Sequence, residues 1–371
     1  MKIAFIDVTV TVSYGGIQVA VWQLARALSD LGHEVTVFGG EGAIRPDLGG
    51  RPIDIQTFPF TPRERVLDLG NRFRRLWERW SFARHASKAV AAGDFDWVVL
   101  TKPFDFFWPR LMPAGSRTRF AFMSGGTSFF KFDRYLARRI DAWLACSHFN
   151  AWQIGAHFKR FPRVMYNGVD IDHFRPAARD SARRAELGIG QEEVVFAFAG
   201  RLVGWKGMAV AIRALAEPVL KDLPVKLLII GEGGEKKALV ALAAKLGLAD
   251  RIIFQGAVAH AALPGWYALS DAGVFPSIAD EAFGITIAEA MACGLPVIGS
   301  HIGGIPEVIG NEGTAGVLVS AGDSAVLAEA MAGLAGDPDR RARLGLAARQ
   351  RIVEQFTWMQ SAGRLLQGLK T

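Results

Sequence analysis

Residues 3–38 read IAFI-DVTVTVSYGG-IQVAVWQLARALSDLGH-EVTVF, and this stretch decides the fold. Ile3 to Ile6 is a continuous apolar run of strand length, the pattern of a strand buried on both faces. A loop follows and ends on Gly15-Gly16. From Ile17 onward, Val21, Leu24, Leu28 and Leu31 recur at helical spacing, and Gly32 stops the helix. Glu34 to Phe38 then reads as a second strand. Strand, glycine loop, helix and strand make one β-loop-α-β unit, the opening of a doubly wound parallel sheet.

The pattern restarts after Gly190. Residues 194–199 (VVFAFA) read as a strand, 200–207 as a loop, 208–216 as a helix and 227–230 as the next strand. Further strands are expected at 96–100, 119–123, 142–146 and 163–166 in the first half. In the second half they are expected at 252–254, 273–276, 296–299 and 316–319. At roughly 100–200 residues per domain, a chain of 371 residues holds two. The expected architecture is α/β: a Rossmann-like domain over 1–169, a second over 170–355, and a cleft between the two halves. A last helix in 356–371 is expected to cross back onto the first domain.

Composition narrows the function classes. No apolar run approaches the roughly 18 residues needed to cross a bilayer. Cys146 and Cys293 are the only cysteines, which excludes a disulfide framework and leaves a reduced, cytoplasmic compartment as the expectation. The formal charge of +7 is uneven: residues 1–169 hold 23 Lys and Arg against 14 Asp and Glu, and the remainder 20 against 22. The first half also holds seven of the ten tryptophans, so it is the half expected to meet an anionic partner. No recognisable nucleic-acid module accompanies that charge, and nucleic acid is not expected as the partner.

One patterned element carries much of it. Over residues 63–88, Val66, Leu69, Phe73, Leu76, Trp77 and Trp80 fall on one helical face, ringed by Arg63, Arg65, Arg72, Arg74, Arg75, Arg79, Arg84 and Lys88. A basic amphipathic helix with Trp on its apolar side suits the headgroup region of an anionic bilayer. The bland alternative is a helix that buries Phe73 and Trp77 in its own core.

Two motifs point to chemistry. Glu281 and Glu289, in EAFGITIAE, would flank a helix N-terminus, one in the loop and one inside the helix. Backbone N–H groups there attract phosphate oxygens, and carboxylates can accept sugar hydroxyls. The alternative is a capping acid and an unrelated helical Glu. Arg201 and Lys206, in GRLVGWKG, would project from a strand-to-helix turn, where two cations suit a diphosphate. An ordinary solvated loop is the competing reading. Asp170-Ile171-Asp172 and Asp94-Phe95-Asp96 both spell D-x-D, but their places suit turn and capping roles, and no metal is expected.

Read together, these motifs resemble the family 4 glycosyltransferases. Asn167-Gly168-Val169-Asp170-Ile171-Asp172-His173-Phe174-Arg175-Pro176 is similar to that family's interdomain signature. Gly200-Arg201-Leu202 with Lys206-Gly207 matches its donor-phosphate loop, and Glu281 to Glu289 its E-x7-E motif. Gly303-Gly304-Ile305-Pro306-Glu307 resembles the turn that follows, and Gly15-Gly16-Ile17 the first glycine loop. The resemblance runs from Lys2 to about Leu366, and its five motifs stand in the family's order.

The resemblance implies a GT-B fold with two facing Rossmann-like domains. It also implies a retaining glycosyl transfer from a nucleotide-sugar donor. Arg201 and Lys206 would hold the diphosphate, and Glu289 would accept from the ribose hydroxyls. Glu281 would lie near the transferred sugar, with backbone amides of Phe283, Gly284 and Ile285 on sugar or phosphate. Gly15 and Gly16 would approach a phosphate from the opposite wall. Ser124 stands where many relatives carry a sugar-contacting His, and Ser124 and Thr127 are candidate sugar contacts. With the basic first half, the expected acceptor is a lipid-linked or cell-envelope glycan at an anionic membrane surface. A soluble acceptor, or nucleotide-sugar binding without transfer, are the alternatives. No cofactor or metal is expected.

Overall fold

The computed structural model describes residues 1–13, 15–126, 129–310 and 313–370. Among them, strands form two sheets in which every pairing is parallel. The first contains β1 (Lys2–Ile6), β2 (Glu34–Gly40), β3 (Ile53–Phe58), β4 (Trp97–Leu100), β5 (Arg119–Ser124), β6 (Ala142–Ala145) and β7 (Arg163–Val164). Its spatial order is β3-β2-β1-β4-β5-β6-β7, with Ile3 aligned to Val35 on one side and Trp97 on the other.

The second sheet contains β8 (Val194–Ala199), β9 (Val225–Ile230), β10 (Ile252–Gly256), β11 (Ala272–Phe275), β12 (Val297–Ser300) and β13 (Val317–Val319). Its order is β10-β9-β8-β11-β12-β13. Each sheet therefore reverses direction once, between β1 and β4 and between β8 and β11. Loops leaving the carboxyl ends of strands at such a reversal diverge to opposite faces, and the gap they leave is where doubly wound sheets hold ligands.

Two compact units carry the sheets: Met1–Gly168 with Trp358–Thr371, and Val169–Thr357. The terminal helix Trp358–Leu369 completes the first unit. Its Trp358, Ala362, Leu365 and Leu369 join Val21, Leu24 and Leu28 of helix α1 (Gly16–Asp30) in one buried cluster on the sheet. The approach is close enough that a Cβ on Gly368 would lie 2.5 Å from Leu144.

Strand β3 escaped the sequence reading. It is an edge strand, half-exposed along most of its length, and the sequence around it carries Pro52 and Pro59. Proline tolerates an edge because one side of the ladder needs no donor there, and the same prolines hide the strand from a pattern search.

The segment 63–88 is not one helix. Gly70, with φ +96°, separates a short turn, Arg63–Arg65, from helix α2 (Asn71–Ala92). The buried face of α2 carries Glu78, Arg79, Phe82, Ala83, Ala86 and Val90. Phe82, Ala86 and Val90 pack on the opposite side of the sheet from α1, with Phe38, Val98 and Phe106. Arg79 is therefore not part of a solvated basic rim: it is 5% exposed and ion-paired with Asp105. The apolar residues Phe73, Trp77 and Trp80 are instead 37–44% exposed, because the helix has turned its Phe82 stripe inward. Val66 is buried, whereas Leu69 is 63% exposed.

Candidate functional site

In the second unit, the reversal between β8 and β11 gathers the motif residues. The loop leaving β8 ends at Gly207, whose φ of +71° is left-handed and whose missing Cβ would sit 1.8 Å from the Pro276 carbonyl oxygen. Only glycine lets this loop lie against the chain leaving β11. The Ile278 amide donates to the Trp205 carbonyl at 2.8 Å and fixes the two loops together. Lys206 is thereby brought to Glu281, and their half-buried side chains form an ion pair. The Lys206 ammonium also lies 4.6 Å from the centre of the Trp205 ring. Arg201, on the same loop, is exposed and makes no ion pair or side-chain hydrogen bond among the described residues.

A third loop, after β12, joins through Gly304, whose amide donates to the Glu281 carbonyl at 2.7 Å. Phe283 is buried edge-on to Phe356, and Gly284, with φ +96°, opens helix Ile285–Ala292 without a side-chain cap. The first turn of such a helix presents backbone donors and the positive end of its dipole.

Glu289 lies inside that helix with its side chain 4% exposed. Its Oε1 meets Nε2 of His260 at 2.6 Å, while its buried Oε2 has no hydrogen-bond partner among the described residues. A buried carboxylate oxygen without a donor is costly, and a ligand hydroxyl would satisfy it. His260 comes from the chain after β10, with its ring 5.1 Å from that of Phe174. Burial alone would lower its pKa, but the hydrogen bond and charge of Glu289, with the charge of Asp170, raise it above the usual value. The same buried carboxylate works on its neighbours. Burial and the Glu289 charge push the Cys293 thiol up to about 12, which leaves it an inert thiol rather than a nucleophile.

Nothing local in the sequence marks His260. Metal-ligand spacing does not single it out, and its ring meets a partner 29 residues away in another element. Of the D-x-D pairs, Asp170 holds a turn, accepting from the His173 amide at 3.2 Å, whereas Asp96 accepts from the Lys2 amide at 2.7 Å and ties the start of β4 to β1.

In the first unit, Gly15 caps α1 and Gly16 begins it. Ser124 is buried at the end of β5, its hydroxyl donating to the Gly126 carbonyl at 3.2 Å. Thr127 lies outside the described residues. The reversal between β1 and β4 holds a buried charged cluster that the sequence did not announce. Asp7, at the end of β1, accepts from the Thr101 hydroxyl at 2.8 Å and from the Thr9 hydroxyl at 2.7 Å. It lies 3.9 Å from the Arg79 guanidinium, which pairs with Asp105. Burial would raise the Asp7 carboxyl, but Arg79, Lys102 and the Thr9 bonds outweigh it and hold the group below its ordinary value. Asp105 goes the other way: burial pushes it up to about 7, against the pull of Arg79 and with the charge of Asp7 adding to the rise.

Residues 14–173 match the family model described as Glycosyltransferase Family 4, and residues 180–351 that of glycosyl transferases group 1. The chain belongs to the GT-B glycosyltransferases of the family 4 type. This GT-B chain is 34% identical over 239 residues to a D-inositol 3-phosphate glycosyltransferase of Streptomyces scabiei (strain 87.22). The aligned stretch covers 61% of the chain and 53% of that relative, so the GT-B chain spans about half the length of the curated relatives it matches. Its fold is shared with sucrose-phosphate synthase from Thermosynechococcus elongatus, at TM-score 0.83 and 21% identity, over 99% of this chain and 97% of that one. It is shared equally with Anabaena HepE in complex with UDP-glucose, at TM-score 0.80 and 24% identity, over 100% and 99% of the two chains.

Proposed function

We propose that this protein is a retaining glycosyltransferase. It moves a sugar from a nucleotide-sugar donor to a lipid-linked or cell-envelope glycan acceptor at an anionic membrane surface. The observation that carries the donor reading is the grouping of Lys206, Glu281 and the uncapped start of helix Ile285–Ala292, with the partnerless Oε2 of Glu289 in the same helix.

A diphosphate at this helix start would take Lys206 as counter-ion and release Glu281 to accept from hydroxyls of the transferred sugar. Backbone amides of Phe283, Gly284 and Ile285 would add donors to phosphate or sugar. Arg201 would offset the second phosphate, and Glu289 would accept from the ribose through Oε2. In the transfer, the bond from the anomeric carbon to the phosphate oxygen breaks as the bond to the acceptor oxygen forms on the same face. The acceptor proton passes to the departing phosphate oxygen, whose negative charge Arg201 and Lys206 offset in the transition state. Ser124 and Thr127 are sugar contacts in this scheme, and Gly15-Gly16 at the start of α1 meets a phosphate of donor or acceptor.

The acceptor reading is supported by exposure. Phe73, Trp77 and Trp80 are not absorbed into the core, as a purely structural helix would require. Arg72 joins the start of α2 to the segment after β5: its guanidinium lies 4.0 Å from the Phe130 ring centre and 2.8 Å from Asp133. Phe130, Phe132 and Tyr135 there are 45–60% exposed, which adds apolar rings to one basic surface.

A second acceptor reading, a small phosphorylated polyol, is favoured by the name of the relative from S. scabiei. The test is a transfer assay with UDP-glucose, the donor held by HepE, tried first among nucleotide sugars. Vesicle-embedded lipid-linked acceptors are compared with D-inositol 3-phosphate. Transfer only to the latter replaces the membrane reading. Stabilisation by the donor without transfer to any acceptor would make the chain a nucleotide-sugar-binding protein.

A further inference from the structure

The segment between β5 and β6 builds a feature that neither the donor site nor the exposed face of α2 uses. A cavity of about 380 Å³ is lined by Lys131, Arg134, Arg138 and Arg160, together with Tyr135 and Trp143. None of the four cations forms an ion pair among the described residues. The acid closest in sequence, Asp133, is already spent: one carboxylate oxygen accepts from Arg72 at 2.8 Å and the other from the Phe130 amide at 2.9 Å. Arg110 adds a fifth positive charge behind Tyr135, donating to the Tyr135 and Leu136 carbonyls with its guanidinium 5.3 Å from the tyrosine ring centre. Arg138 lies 5.4 Å from the centre of the same ring.

Trp143 forms one wall of this cavity, 8% exposed and packed against Phe158, so its indole reports on whatever enters. Four exposed cations without an ion-pair partner around one cavity call for an anion rich in acceptor oxygens. Arginine forks match phosphate oxygens in geometry as well as charge.

We propose that this cavity is a binding site for a phosphate monoester group, carried by a lipid headgroup or by a soluble phosphorylated ligand. It needs no nucleotide and stands apart from the donor assignment. Arg134, Arg138 and Arg160 supply the forks, Lys131 a point charge, and Tyr135 a platform that holds Arg138 in place.

The experiment follows the indole N–H resonance of Trp143, assigned through Trp143→Phe, while the whole chain is titrated with inorganic phosphate. In parallel, sedimentation compares phosphatidylcholine vesicles carrying phosphatidic acid with vesicles of equal surface charge carrying phosphatidylserine. The resonance is expected to shift saturably with phosphate. The Arg138→Ala, Arg160→Ala double variant, with an unchanged melting temperature, should bind phosphate about tenfold or more weakly. A preference for phosphatidic acid that the double variant loses assigns the site to a lipid headgroup. A phosphate response with no such preference assigns it to a soluble ligand. A Trp143 resonance that ignores phosphate, with equal vesicle binding by wild type and variant, overturns the site. Loss of binding to both anionic vesicles with the phosphate response intact would sink the membrane reading alone.

Discussion

Lys206 carries the most direct test of the proposed reaction. Its ammonium is paired with Glu281, so a donor phosphate at the proposed site would displace a carboxylate. Lys206→Ala should reduce turnover by roughly 10²–10³, the usual loss for one charge-stabilising contact, with little change in melting temperature. Steady-state transfer kinetics check this, and near-normal turnover would end the assignment. Glu281→Ala should lower turnover more than nucleotide affinity, and Glu289→Ala the reverse. Two cations and a helix start can supply the charge that a divalent ion gives elsewhere, so transfer should survive excess EDTA. Abolition by EDTA, restored by manganese, would return the D-x-D pairs to the mechanism. His260 gives a pH signature. Its folded pKa is raised, so the stability from its pairing with Glu289 is fully present below the ordinary 6.5 and is lost as pH rises through the folded value. The melting-temperature gap between wild type and His260→Gln should therefore narrow from acidic to alkaline pH, and a constant gap would mean the ring carries no charge. At this scale the sequence displayed what is local. Arg201 to Gly207 and Glu281 to Glu289 each sit within one loop and its helix. The Asp7–Arg79–Asp105 cluster and the His260–Glu289 pair join distant loops, and no spacing rule reaches them.

Helix α2 shows what an apolar period reports and what it leaves open. Phe73, Trp77 and Trp80 do share a face, but the stripe that meets the sheet is Phe82, Ala86 and Val90. Apolar periodicity reports that two faces differ, not which of them finds a partner. The charged residue on the inner face was invisible for the same reason, since Arg79 is soluble-looking until Asp105 is placed beside it. Arg79→Ala should cost about 3–5 kcal/mol in unfolding, the usual penalty for leaving a buried charge without its counter-ion. Chemical denaturation would measure it, and an effect near zero would mean that Asp105 is already neutral. Charge reversal at the exposed Arg75, Arg84 and Lys88 should instead leave stability alone and weaken sedimentation with anionic vesicles, most at low salt. Trp77→Ser with Trp80→Ser should remove the part of the binding that high salt spares. If wild-type protein ignores anionic vesicles at low salt, this face is only a solvated surface.

At the scale of the whole molecule, the two-domain α/β fold and the glycine loops were legible because buried parallel strands are short apolar runs that glycine punctuates. Residues 163–166 and 316–319 shortened to Arg163–Val164 and Val317–Val319 because edge strands fray where only one neighbour holds them. Removing residues 358–371 should uncover the surface that Trp358, Leu365 and Leu369 bury. Burial of that many large side chains is worth about 5 kcal/mol, a large share of an ordinary domain's stability. Calorimetry of the shortened chain should show the first unit's transition lost and the second unit's retained. An unchanged first transition would make the terminal helix an accessory. The same arrangement fixes an order of events at the ribosome. The first unit has its opening strand before any of the second unit is made, yet its core stays open along Leu144 and Met165 until the terminal helix follows. At about 5–20 residues per second, the intervening unit takes about 10–40 s to synthesise. The half of the protein that is begun first is therefore the last to close.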